Sequence, residues 1–238
     1  MLSLLLCACG GQSERNAEIP TKEEAADYAE NELGIKGASV SKVQDVSKEG
    51  GDYYEIDAIY TMTSDRGLDF ELLRTYDYDT LFGGGYYYNW ITDYYDVAME
   101  DYLEDHPLPK GVSFSEGTVP RHNSGARRYL GNSVKQIWFD FTTDEEFEDY
   151  IDALEAWLDD WVTYEKQFLA KGKDPVMYVA AFKAQDDTMK SSIQIYRHFG
   201  YEDDSFSSIA EDGETYRWSS FKKAMQAGYE AKKKLMLK

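Results

Sequence analysis

Two cysteines near the first residue are the only thiols of the chain. Cys7 and Cys9 follow an apolar run over residues 1–6, and the small residues Ala8 and Gly10 flank the second cysteine. A thiol can carry a covalent group, and small residues allow the backbone to enter a protease site. This arrangement makes the two thiols the first candidates for covalent chemistry.

The motif Leu6-Cys7-Ala8-Cys9 resembles a lipobox, the cleavage and lipidation site of bacterial lipoprotein precursors. The resemblance implies that the bond before Cys9 is cut after a diacylglyceryl group joins its sulfur, and that the new amino end can be acylated. Each buried acyl CH₂ contributes about 0.8 kcal/mol, so two or three acyl chains give a lasting anchor. The resemblance places the protein on the outer, extracytoplasmic face of a bacterial cell membrane.

By the same resemblance, residues 1–8 are the remnant of a signal peptide, and residues 9–20 are the lipidated cysteine and a polar tether. Signal peptides begin with Lys or Arg, and Met1, Leu2 and Ser3 carry no charge, so we expect the natural start to lie upstream. The apolar run is shorter than the roughly 20 residues of a membrane-spanning helix.

The net charge restricts the classes of partner. The chain of 238 residues has 25 basic and 45 acidic residues, a formal net charge of −20. This balance argues against nucleic acid, whose phosphates require Lys and Arg. It suits a basic protein partner, cation attraction, or solubility beside a surface. Apart from Cys7 and Cys9 there is no cysteine, so the body has no disulfide, thiol nucleophile or thiolate metal site.

No catalytic residue, metal ligand or cofactor is predicted. The three histidines, His106, His122 and His198, are far apart and outside any H-E-x-x-H motif, and no serine lies in G-x-S-x-G. Asp77 and Asp79 begin like a calcium-binding loop, but the next ligand position is not filled. Carboxylate pairs are abundant but not distinctive, so a hydrolase is the third functional hypothesis.

An aromatic block follows a run of three glycines at residues 83–85. Exposed aromatic rings beside a flexible loop can stack on sugars or hold a peptide. The alternative is that they pack under the loop and join the sheet to the following helix. The candidate binding residues are Tyr86, Tyr87, Tyr88 and Trp90.

The patterning predicts an α+β fold with antiparallel strands and packed helices. In the first half, Thr21 and Glu24 form a capping box for a helix that Gly34 ends. A meander follows, with strands at residues 39–46, 53–63 and 68–78 around a turn at residues 64–67. A helix capped by Asn89 or Thr92 then extends to Leu103.

The second half is predicted as strand, long helix, hairpin and helix. Strands are expected at residues 112–119 and 134–141. Thr143 and Glu146 form a second capping box, which opens a helix to about Ala170 with an acidic outer face. The remaining predicted elements are a hairpin of residues 177–184 and 192–199, a polar loop over residues 200–213 and a helix over residues 214–235.

His106 and the two prolines that follow it form the best internal boundary. It divides the body into residues 21–106 and 107–238, as two domains or two halves of one. The leading functional hypothesis is non-enzymatic recognition of a protein through an acidic, Tyr-rich surface, and the alternative is a cell-wall glycan-binding module. In location, size and charge the protein is similar to the lipoprotein immunity factors with which some Gram-positive bacteria block their own toxins.

Overall fold

The computed structural model describes the backbone of most of the folded body. The described residues are 18–48, 55–79, 85–116, 135–173, 175, 182–184, 192–193, 195–198, 205–209, 215–218 and 221–236. They combine helices with largely antiparallel sheets, so the α+β prediction is confirmed. Within these ranges, none of the helices has the length and apolar character needed to cross a membrane.

The first helix, α1 (Lys22–Asn31), begins at the predicted capping box. The Thr21 hydroxyl accepts a hydrogen bond from the Glu24 amide at 3.2 Å, and the Glu24 carboxylate accepts one from the Thr21 amide at 2.7 Å. These bonds satisfy two amides at the helix start that have no partner within the helix. Gly34, just after the helix, has a φ of +79°, which favours glycine.

The predicted meander is present and continues into a fourth strand. β1 (Ser39–Asp45), β2 (Ile56–Thr63), β3 (Asp69–Asp79) and β4 (Gly85–Thr92) form an antiparallel sheet in sequential order. Gly67 lies in the turn between β2 and β3 with a φ of +83°. One face of the sheet is apolar and packs against α1 and the next helix.

The helix predicted from Asn89 or Thr92 begins two residues after Thr92, whose hydroxyl accepts a hydrogen bond from the Tyr94 amide at 3.1 Å, whereas Asn89 lies inside β4. The next helix, α2 (Tyr94–Asp105), has Asp93 at its N-cap position without a side-chain capping bond. The Asp93 carboxylate instead accepts a hydrogen bond from the Glu71 amide at 2.7 Å. Pairing with β3 thus overrides the local capping signal at Asn89.

In the second half, β5 (Val112–Glu116) and β6 (Lys135–Phe139) pair as antiparallel strands before the long helix α3 (Asp144–Glu165). The second capping box is confirmed: the Thr143 hydroxyl accepts a hydrogen bond from the Glu146 amide at 3.1 Å. After α3, residues 166–168 form one 3₁₀ turn, so the α-helix ends slightly before the predicted residue.

The chain after α3 contains more strands than predicted. β7 (Phe182–Ala184) pairs antiparallel with β8 (Ser192–Ile193), which confirms part of the hairpin, and parallel with β6. A separate sheet is formed by β9 (Ile195–His198), β10 (Ser205–Ile209) and β11 (Thr215–Trp218). The loop predicted over residues 200–213 therefore contains β10. The last helix, α4 (Phe221–Met236), begins after β11, not at residue 214.

The buried residues form two main clusters, and α2 contributes to both. Tyr94 and Ala98 belong to the cluster between the first sheet and α1, whereas Met99 and Tyr102 belong to the cluster around α3 and α4. Leu169 from the second half packs in the first cluster. The division at residues 106 and 107 stays a prediction, and packing crosses it in both directions.

Candidate functional site

The chain enters the described body beside the sheet. Cys9, the predicted lipidation site, lies outside the described residues. From residue 18 onward the backbone is bound to the sheet by two side chains: Arg74 Nη1 donates to the Glu18 carbonyl at 2.8 Å, and the Tyr60 hydroxyl donates to the Pro20 carbonyl at 2.7 Å. Burial raises the pKa of Tyr60 from 10.0 to about 12, so its hydroxyl stays protonated as a donor even at alkaline pH.

The predicted aromatic block is part of β4, and the described rings pack against neighbours. Tyr86 and Tyr87 are strand residues whose side chains lie outside the described part. The Arg74 guanidinium lies 4.0 Å from the centroid of the Tyr88 ring. Trp90 stacks on Tyr28 of α1 with ring centroids 5.0 Å apart and an interplanar angle of 24°.

The half-buried Trp90 ring also lies 5.5 Å from the Tyr60 ring, measured between centroids. Its contacts with α1 and β2 correspond to the packing alternative for the aromatic block. Sugar binding by Tyr86, Tyr87, Tyr88 and Trp90 stays a prediction.

The long helix α3 carries ten acidic residues and no basic residue. One flank faces α4, which supplies partners. Lys222 Nζ contacts Asp152 at 2.6 Å and Glu148 at 3.6 Å, and the Lys222 amide donates to Glu155 at 3.1 Å. The Tyr229 hydroxyl donates to Asp144 at 3.0 Å. On this flank the carboxylates join α3 to α4.

The opposite flank of α3 faces α2, which has five acidic residues and no basic residue. The Trp157 indole donates to the His106 carbonyl at 2.9 Å, and the Tyr102 ring lies 5.4 Å from Trp157 and 4.9 Å from Tyr164. The sequence order of these contacts shows that α2 and α3 run in opposite directions. Two helices of the same charge are therefore held together by aromatic packing.

The exposed carboxylates of α2 and of the outward side of α3 form what we call the α2–α3 acidic surface. Asp160 is close enough to Tyr102 for its charge to raise the pKa of that tyrosine, although burial raises it more. Within the part of the chain that the structure describes, no salt bridge joins Glu104, Asp105 or Asp149 to a basic side chain. The surface comprises Glu100, Asp101, Glu104, Asp105, Asp149, Asp159 and Asp160.

One arginine joins the two acidic helices from beneath this surface. The Arg66 guanidinium, from the turn between β2 and β3, contacts Asp101 of α2 at 2.8 Å and Glu165 of α3 at 2.8 Å. Its carbon Cζ lies 4.4 Å from the centroid of the Phe168 ring. The Arg66 side chain is 8 % exposed and the Glu165 side chain is fully buried. This buried ion pair connects the first sheet to the end of α3.

Glu165 lies in a buried cluster of polar groups, several of which lack a hydrogen-bond partner among the described residues. Its second oxygen, the Tyr94 hydroxyl and the Trp161 indole nitrogen are buried and have no hydrogen-bond partner among the residues that the structure describes. Tyr94 and Glu165 are near enough to interact electrostatically, but their oxygens are not in hydrogen-bonding geometry. Burial raises the pKa of Glu165, and the Arg66 guanidinium opposes this only in part.

The sequence analysis did not identify the Arg66–Glu165 pair. Arg66 was expected only as a turn residue, and the predicted apolar stripe of α3 did not include Glu165. A usable signal existed, because Glu165 follows the buried Leu158 and Trp161 at helical spacing, where an acidic residue needs a partner.

Comparison with known proteins identifies no relative of this chain. No protein-family model matches it, and neither the curated proteins nor the solved structures contain a match. Within the described residues, no group of three or more His, Cys, Asp or Glu side chains is arranged to hold a metal ion. The His106 ring stacks on Tyr102 with centroids 3.9 Å apart, while His122 and the His198 side chain lie outside the described part.

Proposed function

We propose that the protein is a lipid-anchored lipoprotein on the outer face of a bacterial cell membrane, and that its body binds a basic protein without enzymatic activity. The α2–α3 acidic surface is the observation that carries the second part of the proposal. Two adjacent helices present carboxylates from both sides, and neither helix contains a basic residue. Such a surface attracts cationic proteins over a distance and favours rapid association.

The chemistry of this surface favours a protein over the other partner classes. Nucleic acid would be repelled by the carboxylates. Sugar recognition relies on exposed aromatic faces, and the described rings Tyr88 and Trp90 contact Arg74 and Tyr28. A role like that of lipoprotein immunity factors, which block a toxin at the membrane, agrees with the proposed anchor and with the charge.

The anchor is tested with Cys9→Ala in the bacterium that produces the protein. We expect the unaltered protein to be processed and recovered with membranes, and the Cys9→Ala protein to remain unprocessed or leave the membrane fraction. Cys7→Ala is the matched control, because it lies in the same motif but is not the acylated residue. Membrane-bound, processed Cys9→Ala protein would contradict lipidation at this position.

The partner class is tested by immobilising residues 9–238 with Cys9→Ser and exposing them to secreted proteins and to purified wall glycan from the parent culture. We expect one basic protein to be retained at low salt and released as the ionic strength rises, because salt screens exposed charges over about 10 Å at 0.1 M. Retention of glycan alone, insensitive to salt and lost with Trp90→Ala, would contradict the proposal and support the glycan-binding alternative.

A further inference from the structure

We propose that the body has a preferred orientation on the membrane, with the start of α1 facing the lipid and the α2–α3 acidic surface directed away from it. The inference rests on the proposed lipid anchor at Cys9. It adds the face from which a partner approaches: a basic protein would arrive from the outside of the cell, not along the bilayer.

The first step is the attachment of the chain to the sheet just before α1. The Glu18 and Pro20 carbonyls are bound by Arg74 and Tyr60, so the point at which the chain leaves the body is fixed to the sheet. Tyr60 is fully buried and Arg74 is 8 % exposed. From Cys9 to this point the chain can span at most about 30 Å, even when fully extended. The membrane therefore lies within a short reach of the start of α1.

The second step is the position of the second half at the other end of α1. The Ala170 amide donates to the Gly34 carbonyl at 2.7 Å, and Lys173 Nζ donates to the Glu32 carbonyl at 2.8 Å. The Tyr95 hydroxyl donates to the Leu33 carbonyl at 3.3 Å. With ten residues, α1 is about 15 Å long. The anchored end and the contact with the second half are separated by this length.

The third step is the direction of α3. Its C-terminal end meets the first half, where Leu169 forms a bridge with Ile35 directly after the 3₁₀ turn. The helix has 22 residues and is about 33 Å long, so its first turn lies far from this contact. The acidic helix α2 runs beside α3 from the same junction.

The experiment uses the full lipidated protein in vesicles of phosphatidylethanolamine and phosphatidylglycerol that contain a headgroup-labelled quencher lipid. The sulfur of Cys9 is alkylated in this protein, so one introduced cysteine can be labelled with a fluorophore. Three exposed positions give a series along the molecule: Glu23→Cys in the first turn of α1, Asn31→Cys at its end, and Ala153→Cys on α3.

We expect quenching to decrease from Glu23 to Asn31 to Ala153, with about a twofold difference or more between the first and last. Glu23 and Asn31 are about 12 Å apart along α1, and Ala153 lies about 18 Å along α3 from the end that meets the first half. Equal quenching at all three positions, or the reverse order, would overturn the orientation. Protein that does not remain on the vesicles would contradict the anchor itself and remove the orientation with it, whereas bound protein with equal quenching contradicts the orientation alone.

Tyr60→Phe weakens the attachment of residues 18–20 to the sheet. It removes the hydroxyl that binds the Pro20 carbonyl but keeps the buried ring. With the attachment loosened, we expect the difference in quenching between Glu23 and Asn31 to become smaller while the circular dichroism spectrum stays unchanged. An unchanged difference in Tyr60→Phe combined with Arg74→Leu would show that these bonds do not orient the body, and would overturn their role.

Discussion

The two flanks of α3 carry the same kind of charge but differ in their neighbours. On the α4 flank, Lys222 and Tyr229 bind the carboxylates of Asp152 and Asp144. On the α2 flank the neighbouring helix is itself acidic, and aromatic rings provide the contact. The comparison shows that a run of acidic residues on one helix can serve two purposes. One flank joins α3 to α4, and in the proposed function the other presents negative charge to a partner.

The largest effect on stability is expected from removing Arg66, the buried cation that joins α2 to α3. Arg66→Met removes the cation between Glu165 and Asp101, and we expect it to lower the free energy of unfolding by about 3–5 kcal/mol at pH 7, because Glu165 is left as an unpaired buried carboxylate. Asp101→Asn is the matched control, with a cost of at most about 1 kcal/mol because Asp101 is partly exposed. Chemical denaturation measures both, and equal small losses would show that the pair does not connect the helices.

The same variant has a defined pH dependence. Burial raises the pKa of Glu165, so the folded protein binds this proton more tightly than the unfolded chain. The stability contributed by this group is present at low pH and is lost as the pH rises through the raised pKa. Without Arg66 the pKa rises further, so the deficit of Arg66→Met should shrink from pH 7 to pH 5. Adding Glu165→Gln should remove that pH dependence, and a deficit that grows on acidification would contradict this assignment.

A smaller effect on stability is expected at the start of α3, because the N-terminal cap stabilises the whole helix and therefore both flanks. Thr143→Ala removes the hydroxyl that caps the helix and should cost about 1 kcal/mol. Hydrogen bonds from Thr142 and Thr143 lower the pKa of Glu146, so the contribution of this carboxylate is present above about pH 4.5 and is lost as the pH falls. Thr163→Ala, on the exposed side of the same helix, should change thermal stability little. Equal melting temperatures for the two variants would contradict the capping role.

The smallest predicted changes in stability have opposite signs on the two flanks. Glu104→Gln removes a charge beside other carboxylates and should stabilise the fold by up to about 0.5 kcal/mol. Asp152→Asn removes a partner of Lys222 and should destabilise it by a similar amount, up to about 0.5 kcal/mol. Denaturation at low and high salt measures both, since salt screens each change. The same sign at both positions would show that the flanks do not differ electrostatically.

Much of the fold could be predicted because local signals and long-range packing agree. The capping boxes at Thr21 and Thr143 and the alternation in β2 specify their elements within a few residues. β4 was missed because its aromatic residues follow no alternation, and only pairing with β3 makes them a strand. The short strand β10 was missed because its Ser-rich sequence resembles a loop.

The candidate site could be predicted only in part. The acidic outer face of α3 is visible in the helical spacing of its residues. The carboxylates that are neutralised are those that face α4, and α4 follows more than fifty residues later in the chain. The helical spacing of Glu165 indicates that it is buried, but its partner Arg66 is 99 positions away and no local pattern identifies it. Charge composition predicts a binding surface, but tertiary packing decides which charges remain available.

The most direct test of protein recognition compares two variants that lose the same number of charges. One variant neutralises the α2–α3 acidic surface with Glu104→Gln, Asp105→Asn, Asp149→Asn and Asp160→Asn. The control neutralises α1 and its C-cap with Glu23→Gln, Asp27→Asn, Glu30→Gln and Glu32→Gln. The measurement is the Kd of each variant for the secreted protein that the unaltered body retains, by titration calorimetry at fixed ionic strength.

Four exposed pairs at about 0.3–0.5 kcal/mol each amount to about 1.2–2 kcal/mol. We therefore expect the Kd of the first variant to be weaker by about eightfold to thirtyfold and the Kd of the control to be almost unchanged. Equal weakening in both variants would mean that only the net charge of −20 attracts the partner. An unchanged Kd in the first variant would contradict recognition through the α2–α3 acidic surface.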